Sequence, residues 1–395
     1  MKEFKFDLLI IDEACQCTEL TSLIPFSYNI NQSILIGDPK QLPPTIKSHK
    51  IEKYDYGKSL FERIQEGSPS SEVFLLDTQY RMHPSISKLS SKCFYEGKII
   101  DGPNVKSSEW IKEWTKSKDS KFGPVLFYNV EGYVDNNRGS SFYNEVEANQ
   151  VINFISELLQ TYPDICFHKK ISIISPYSAQ VYYIKRKLKE LYKRSLKNLW
   201  EYMGFTNEKT LKFYNDDIEI ESDERYKNLL LEENIFDHIN ISTVDSFQGQ
   251  ENDIIIISTV RSDGKIGFLK DKRRLNVSIS RSRYSLIIFG DSSTLIKNRD
   301  WNNIVTEIKN MNCFKNVNIY YKTYVSIYHK KLIFMSFKCI YIYLFIYIFK
   351  ILKDTVFNDL ECFPFNLLPK EFFESLKKQI EREKQIGKFY IINID

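Results

Sequence analysis

Six short runs of apolar, mostly β-branched residues constrain this chain more than any other feature. They are Leu8–Ile11, Ile34–Ile36, Val125–Phe127, Ile171–Ile174, Ile254–Ile257 and Leu286–Phe289, and they give way to polar or glycine positions. Helix-like stretches such as Glu145–Leu159 lie between most of them. A strand apolar on both faces suits a parallel sheet covered by helices on both sides. Alternation with helices predicts α/β architecture. Ligands of such sheets bind beyond the carboxyl ends of the strands, so the residues after each run are the candidates for chemistry.

The first run begins at residue 8. The segment is too short, and too soon followed by carboxylates, for a signal peptide. It reads as a buried core strand, and a domain seldom opens on one. The expectation is therefore that further chain precedes Met1.

A chain of 395 residues that is 43% hydrophobic has room for two or three domains with proper cores. A net charge of +4, from 55 basic and 51 acidic residues, neither demands nor excludes a nucleic-acid partner. Cys15 and Cys17 are the only close pair among seven cysteines, and no second Cys/His pair stands at zinc spacing. Reduced thiols are the expectation. The Lys-, Asn- and Glu-rich region from about Lys185 to His238 reads as a helix followed by a polar insertion. The Tyr-, Ile- and Phe-rich segment 332–352 is interrupted by Lys338 and Lys350. A spanning helix needs roughly 20 apolar residues, and the longest uninterrupted run, Cys339–Phe349, falls short of that. A membrane segment, a translated intron and ordered structure all remain open for it.

After the first run comes Asp12-Glu13, and after the second Gly37-Asp38-Pro39-Lys40-Gln41-Leu42-Pro43-Pro44. Adjacent carboxylates at a strand end suit nucleotide hydrolysis. Asp12 would hold Mg²⁺ through water, since that ion keeps much of its hydration shell. Glu13 would orient and deprotonate the attacking water. The competing reading is a helix N-terminus, where acids are favoured by the dipole. The second loop, stiffened by proline, weighs against it. Gln41 carries a neutral amide able to touch both a terminal phosphate and a water, as a sensor requires.

Further ordered segments make the sequence recognisable. Asp12–Leu20 and Gly37–Pro44 resemble motifs II and III of superfamily 1B helicases. Leu76–Pro84 is similar to that family's arginine-bearing motif, and Ile174–Tyr177 with Gln180 to a strand-facing segment of its second motor domain. Thr243–Glu251 resembles motif V and Arg273–Arg283 motif VI. The wording Cys15-Gln16-Cys17-Thr18-Glu19-Leu20 and Gly267-Phe268-Leu269-Lys270-Asp271 resembles the senataxin-like branch.

That resemblance implies two RecA-like parallel-sheet domains of P-loop NTPase type, the first incomplete. Residues 1–65 would be the end of the first, 66–300 the second with its insertion at 190–238, and 301–395 a tail. It implies ATP and Mg²⁺ as cofactors, single-stranded RNA or DNA as partner, a place beside transcription or RNA-processing machinery, and the nucleus as location. Arg81 and Arg281 match arginines that reach the γ-phosphate, where a bidentate guanidinium is apt. Gly249 lets backbone approach the nucleotide and Glu251 accepts from the ribose or organises the cleft. Pro176, Tyr177, Thr243, Asp245 and Ser246 face the nucleic acid, with core packing as the competing role of Tyr177. His83 reads as structural.

A phosphate-cradling loop has the pattern Gly-x-x-x-x-Gly-Lys-Ser/Thr. Gly57-Lys58-Ser59 mimics its end, but position 52 is Glu and no strand precedes it. The loop is therefore expected upstream of Met1, leaving this chain inactive alone. Two other readings stand beside the helicase one: a non-catalytic nucleic-acid-binding remnant, and a membrane-associated protein through segment 332–352.

Overall fold

The computed structural model describes residues 6–317, apart from Asn29, Lys47, Lys53 and segments 68–72, 117–120, 136–140, 163–164, 166–169 and 203–238. The 332–352 run and most of the polar insertion lie outside the described residues.

The central element is a six-stranded, all-parallel sheet. Its order is Phe314–Asn316, Val125–Asn129, Ser282–Gly290, Asn252–Ser258, Ile171–Ser175 and Ile239–Thr243. Ile254–Ile257 and Leu286–Phe289 are buried on both faces, as the unbroken apolar runs require. Helix Glu145–Thr161 starts where the Asn144 side chain accepts from the Glu147 amide, a standard N-cap. Helix Ser178–Tyr202 follows the strand Ile171–Ser175 directly.

The boundary expected at residue 300 falls inside this sheet domain. Helix Arg299–Asn310 buries Trp301, Ile304, Val305 and Ile308, an i, i+3, i+4, i+7 stripe. Strand Phe314–Asn316 then pairs with Val125–Asn129, and the Phe314 ring stacks on Phe127 at 5.3 Å. The tail expected from residue 301 therefore begins no earlier than the end of this strand.

The first two runs form a separate two-stranded parallel ribbon, Leu8–Ile11 beside Gln32–Leu35. The expectation of a buried strand fails here. Leu8 and Ile10 are 45% and 56% exposed, and Ile34 and Ile36 on the same face 49% and 42%. That face has no covering layer among the described residues.

Gly57-Lys58-Ser59 opens helix Leu60–Gly67 instead of cradling a phosphate. Ser59 Oγ accepts from the Glu62 amide at 3.1 Å, and Glu62 Oε2 accepts from the Ser59 amide at 3.2 Å. This reciprocal pattern is a capping box. Lys58 pairs with Glu66. No helix among the described residues is long and apolar enough to cross a membrane.

Candidate active site and strand-binding surface

Asp12 and Glu13 leave the first strand on a sharp turn. Glu13 has φ 51° and ψ 38°, a left-handed conformation uncommon outside glycine. Non-glycine residues held there cluster at functional sites. The turn is fixed by the Ala14 amide on the Ile36 carbonyl at 2.8 Å. Glu13 Oε2 accepts from Gln16 Nε2 at 2.7 Å, while Asp12 Oδ1 accepts from the Glu13 amide at 2.9 Å. Both carboxylates are exposed.

Gly37 lets the following loop cross this turn, since a Cβ there would lie 2.9 Å from Cys15 Sγ and 3.0 Å from its amide. The Cys15 thiol is buried, and burial, reinforced by Glu62 and Asp38, pushes its pKa up to about 12. It is an unreactive packing group.

The loop at Asp38 is a hub. Asp38 Oδ1 accepts from the Lys40 amide at 2.9 Å. Its Oδ2 accepts from Gln41 Nε2 at 2.8 Å and from the Tyr95 hydroxyl at 2.5 Å. Tyr95 in turn accepts from Asn276 Nδ2 at 2.8 Å, and the same amide donates to the Lys40 carbonyl at 2.9 Å. Gln41 thus has its amide nitrogen spoken for, and its Oε1 accepts from Arg281 Nη2 at 2.7 Å. This bond joins the Gly37–Pro44 loop to the helix Lys272–Ile279 and the arginine just beyond it.

Arg281 is 4% exposed, with Nε donating to the Val277 carbonyl at 3.1 Å. Burial, then the nearby Arg81 guanidinium, lower its pKa. Glu13, Tyr95 and Glu251 act in the opposite sense. Arg81 pairs with Glu251 and reaches the Ser280 carbonyl at 3.4 Å. Gln79 sets its backbone, accepting from the Arg81 and Met82 amides at 2.9 and 2.7 Å. Gln41, Arg81, Arg281, Glu13 and Glu251 therefore share one neighbourhood, in which the charges of Arg81, Glu13 and Glu251 act on Arg281. Among the described residues, its direct side-chain contacts include Gln41 with Arg281 and Arg81 with Glu251. Asp12 adjoins it through Glu13. No cluster of three His, Cys, Asp or Glu able to hold a metal occurs among the described residues. Asp12 is suited to a hydrated ion whose other ligands are waters and phosphate oxygens.

His83 caps helix Pro84–Phe94, its Nδ1 accepting from the Ser85 amide at 3.2 Å. Burial lowers its pKa, against a smaller opposing pull from Asp101, in keeping with a structural part.

At the far strand ends, Thr243 and Ser246 hydroxyls lie 2.9 Å apart and bond each other's amides. Asp245 is exposed but pairs with Arg274 at 2.8 Å. Gly249 has φ +76° with open space where a Cβ would stand. Pro176 is half-buried. Tyr177 departs from the expected role. It is 2% exposed, edge-on to Phe142 at 5.7 Å, so its faces are covered by packing. Gln180 is likewise buried, donating to Ser258 Oγ at 2.9 Å.

Sequence reasoning passed over Tyr95 and Asn276, which complete the hub, and left Arg273, Arg274 and Arg283 without roles. Arg273 pairs with the buried Glu62, and Arg274 with Asp245 and Asp271. Arg283 lies over the Trp110 ring at 5.5 Å. Only the Ser-x-x-Glu spacing of Ser59 and Glu62 was a readable signal among these.

A six-stranded parallel sheet with covering helices, beside a two-stranded parallel ribbon whose end carries Asp12 and Glu13, places the chain in the α/β class. Residues 56–293 and 1–49 match two family models, each described as an AAA domain. The chain belongs to this AAA-domain family, and its sequence is similar to helicases of the senataxin-like type. It is 36% identical to helicase sen1 of Schizosaccharomyces pombe over 76% of this chain and 16% of that one. It is 35% identical to helicase SEN1 of Saccharomyces cerevisiae over 78% of this chain and 12% of the relative. It is 30% identical to the probable helicase senataxin of Homo sapiens over 76% of this chain and 10% of the relative. The chain thus spans less than a fifth of the length of each of these relatives.

The hub makes a measurable prediction. Tyr95→Phe removes a hydroxyl bonded to a carboxylate, a class of bond worth about 1.5–3 kcal/mol. Urea unfolding of the variant is expected to show a loss in that range. A double cycle with Asn276→Ala should show strong coupling. Additive losses would mean that the hub does not act as one network.

Proposed function

We propose that this chain is motor-core sequence of an ATP-dependent helicase that moves along a single strand and unwinds RNA–DNA or RNA duplexes. A nuclear role in transcription termination is part of this reading. The observation that carries it is the Gln41–Arg281 bond at 2.7 Å, with Arg81 and Glu13 beside it. A sensor amide and two guanidiniums facing strand-end carboxylates form a site for the terminal phosphate of a nucleotide. In this reading residues 1–65 belong to the first RecA-like domain and the six-stranded sheet to the second.

The role of each group follows from its chemistry. Mg²⁺·ATP supplies the phosphoryl group and the charge that the site is built around. Glu13 takes the proton of the attacking water, and Asp12 orients the hydrated ion. Arg281 and Arg81 neutralise charge on phosphate oxygens, and Gln41 senses the terminal phosphate. Gly249 and Glu251 border the nucleotide, and Thr243, Asp245, Ser246 and Pro176 border the strand.

The 395 residues contain no Gly-x-x-x-x-Gly-Lys-Ser/Thr pattern. That pattern is what supplies the backbone amides and lysine that hold β- and γ-phosphates. The purified 395-residue polypeptide is therefore expected to bind single strands, more weakly as salt rises because phosphate contacts release counterions, and to show no ATP turnover. The test pairs fluorescence anisotropy across a salt series with a phosphate-release assay. Turnover abolished by Glu13→Gln would overturn the inactive-alone reading, and absence of strand binding at low salt would overturn the strand-binding one.

A further inference from the structure

We infer that Phe268 is the base-stacking residue of the strand-binding surface, the role that burial denies to Tyr177. The inference rests on the strand-binding reading above and names the aromatic contact within it. Phe268 is 58% exposed, and it stands in a short helical turn, Gly267–Lys270, that Leu269 anchors in the core. Leu269, the next residue, is buried in the same cluster as Val244 and Phe247, which bracket Asp245 and Ser246. The ring therefore projects from a turn whose anchor shares a core cluster with the loop that carries the strand-end hydroxyls.

The ring is also held in place. It meets Tyr177 edge-on at 5.9 Å, and Tyr177 meets Phe142 edge-on at 5.7 Å. Gly267, at φ +56°, makes the approach feasible, because a Cβ there would fall 2.7 Å from the Tyr177 hydroxyl oxygen. From the other side, the Leu269 carbonyl accepts from Trp301 Nε1 at 2.9 Å. A ring so fixed gives up little conformational freedom when a base stacks on it. Base–aromatic stacking tolerates any sequence, because every base has a π-face.

Basic residues lie near the turn in sequence, and buried Arg261 pairs with Asp263 at 2.8 Å. Arg261 is 4% exposed, lies over Phe142 at 4.5 Å and donates to the Lys265 carbonyl at 2.8 Å, which shapes the loop leading in. Lys265 and Lys270 are exposed, and neither ammonium has a carboxylate partner among the described residues. Lys297 Nζ reaches the Gly264 carbonyl at 3.3 Å. An exposed aromatic ring packed against Tyr177, with lysines near it in sequence, suits a single strand, with a base on the ring and phosphates on the ammonium groups.

The test uses the 395-residue chain and a fluorescein-labelled single-stranded uridine oligomer read by anisotropy. Phe268→Ala is expected to weaken binding about 5- to 150-fold, the range for losing one stacked base. The dependence on salt should keep its slope, since no charge is lost. An abasic oligomer should bind wild type and Phe268→Ala alike. Phe268→Trp should retain affinity and show fluorescence quenched by the oligomer beyond any change in wild type. A thermal melt checks folding of the alanine variant, and the exposed position should leave its midpoint nearly unchanged. Equal binding of the uridine oligomer by wild type and a folded Phe268→Ala overturns the stacking role while leaving strand binding intact. A wild type that does not bind overturns both.

Discussion

Replacing Glu147 by alanine is expected to unfold the sheet domain or bring it close to unfolding. Glu147 is wholly buried, and its carboxylate accepts from Ser258 Oγ at 2.5 Å and from the Val260 amide at 2.9 Å. These bonds hold a costly turn. Val260 has φ +73°, which for a β-branched residue is an outlier that persists only when its surroundings over-determine it. Asn144 grips the other side, its Nδ2 donating to the Val260 carbonyl at 3.1 Å. The alanine variant leaves a buried hydroxyl and a buried amide without acceptors and opens a cavity. The combined cost is on the order of 3–5 kcal/mol, a large part of a typical domain's stability.

The same residue gives a pH signature. Burial pushes the Glu147 pKa up to about 8, against the lowering effect of its hydrogen bonds from Ser258, Val260 and Thr259, with Asp291 adding to the rise. A carboxyl whose folded pKa exceeds its unfolded value favours folding while it is protonated in both states. That contribution is full below about 4.5, the ordinary value, and is lost as pH rises through about 8. Glu147→Gln keeps the shape and abolishes the titration. Urea midpoints measured from pH 5 to 8 should fall more steeply for wild type than for this variant. Parallel profiles would mean that Glu147 is ionised in the fold throughout, its hydrogen-bond donors outweighing desolvation.

Glu147 also illustrates why some of the molecule could be read from sequence and some could not. The strands were legible because unbroken runs such as Ile254–Ile257 have few alternatives to a covered parallel strand. The phosphate-facing candidates were legible because Asp12-Glu13 and Gln41 follow such runs directly. Glu147, by contrast, looks like one of two solvent-facing acids in a first helical turn. Its role comes from Ser258 and Val260, brought there by the strand Asn252–Ser258. Tyr95 and Asn276 were equally silent, since their partners are distant in sequence. Tyr177 misled for the complementary reason. A proline followed by an aromatic at a strand end signals a surface turn, and only the packing of Phe142 and Phe268 reveals that its ring is covered.

A chain ended at residue 300 should lose its cooperative fold, and Trp301→Ala should reproduce much of that loss with one residue. Helix Arg299–Asn310 lays Trp301, Ile304, Val305 and Ile308 into the main hydrophobic cluster with Val125, Phe127, Leu286 and Ile288. Trp301 is 1% exposed, and its indole N–H donates to the Leu269 carbonyl. Truncating a buried aromatic to alanine costs about 3–5 kcal/mol through lost transfer energy and the cavity left behind. Here the Leu269 carbonyl loses its partner too, so the upper half of that range is expected. Ending the chain at 300 removes the whole apolar stripe and also the strand Phe314–Asn316, which leaves Val125–Asn129 as a bare sheet edge. Urea unfolding followed by tryptophan-independent far-UV circular dichroism measures the substitution, and hydrogen exchange of the Val125–Asn129 amides measures the truncation. The Gly267–Lys270 turn should also loosen in Trp301→Ala, so strand affinity should fall alongside stability. A chain ending at 300 that unfolds cooperatively with the stability of the longer one would return residues 301–316 to the status of a dispensable tail.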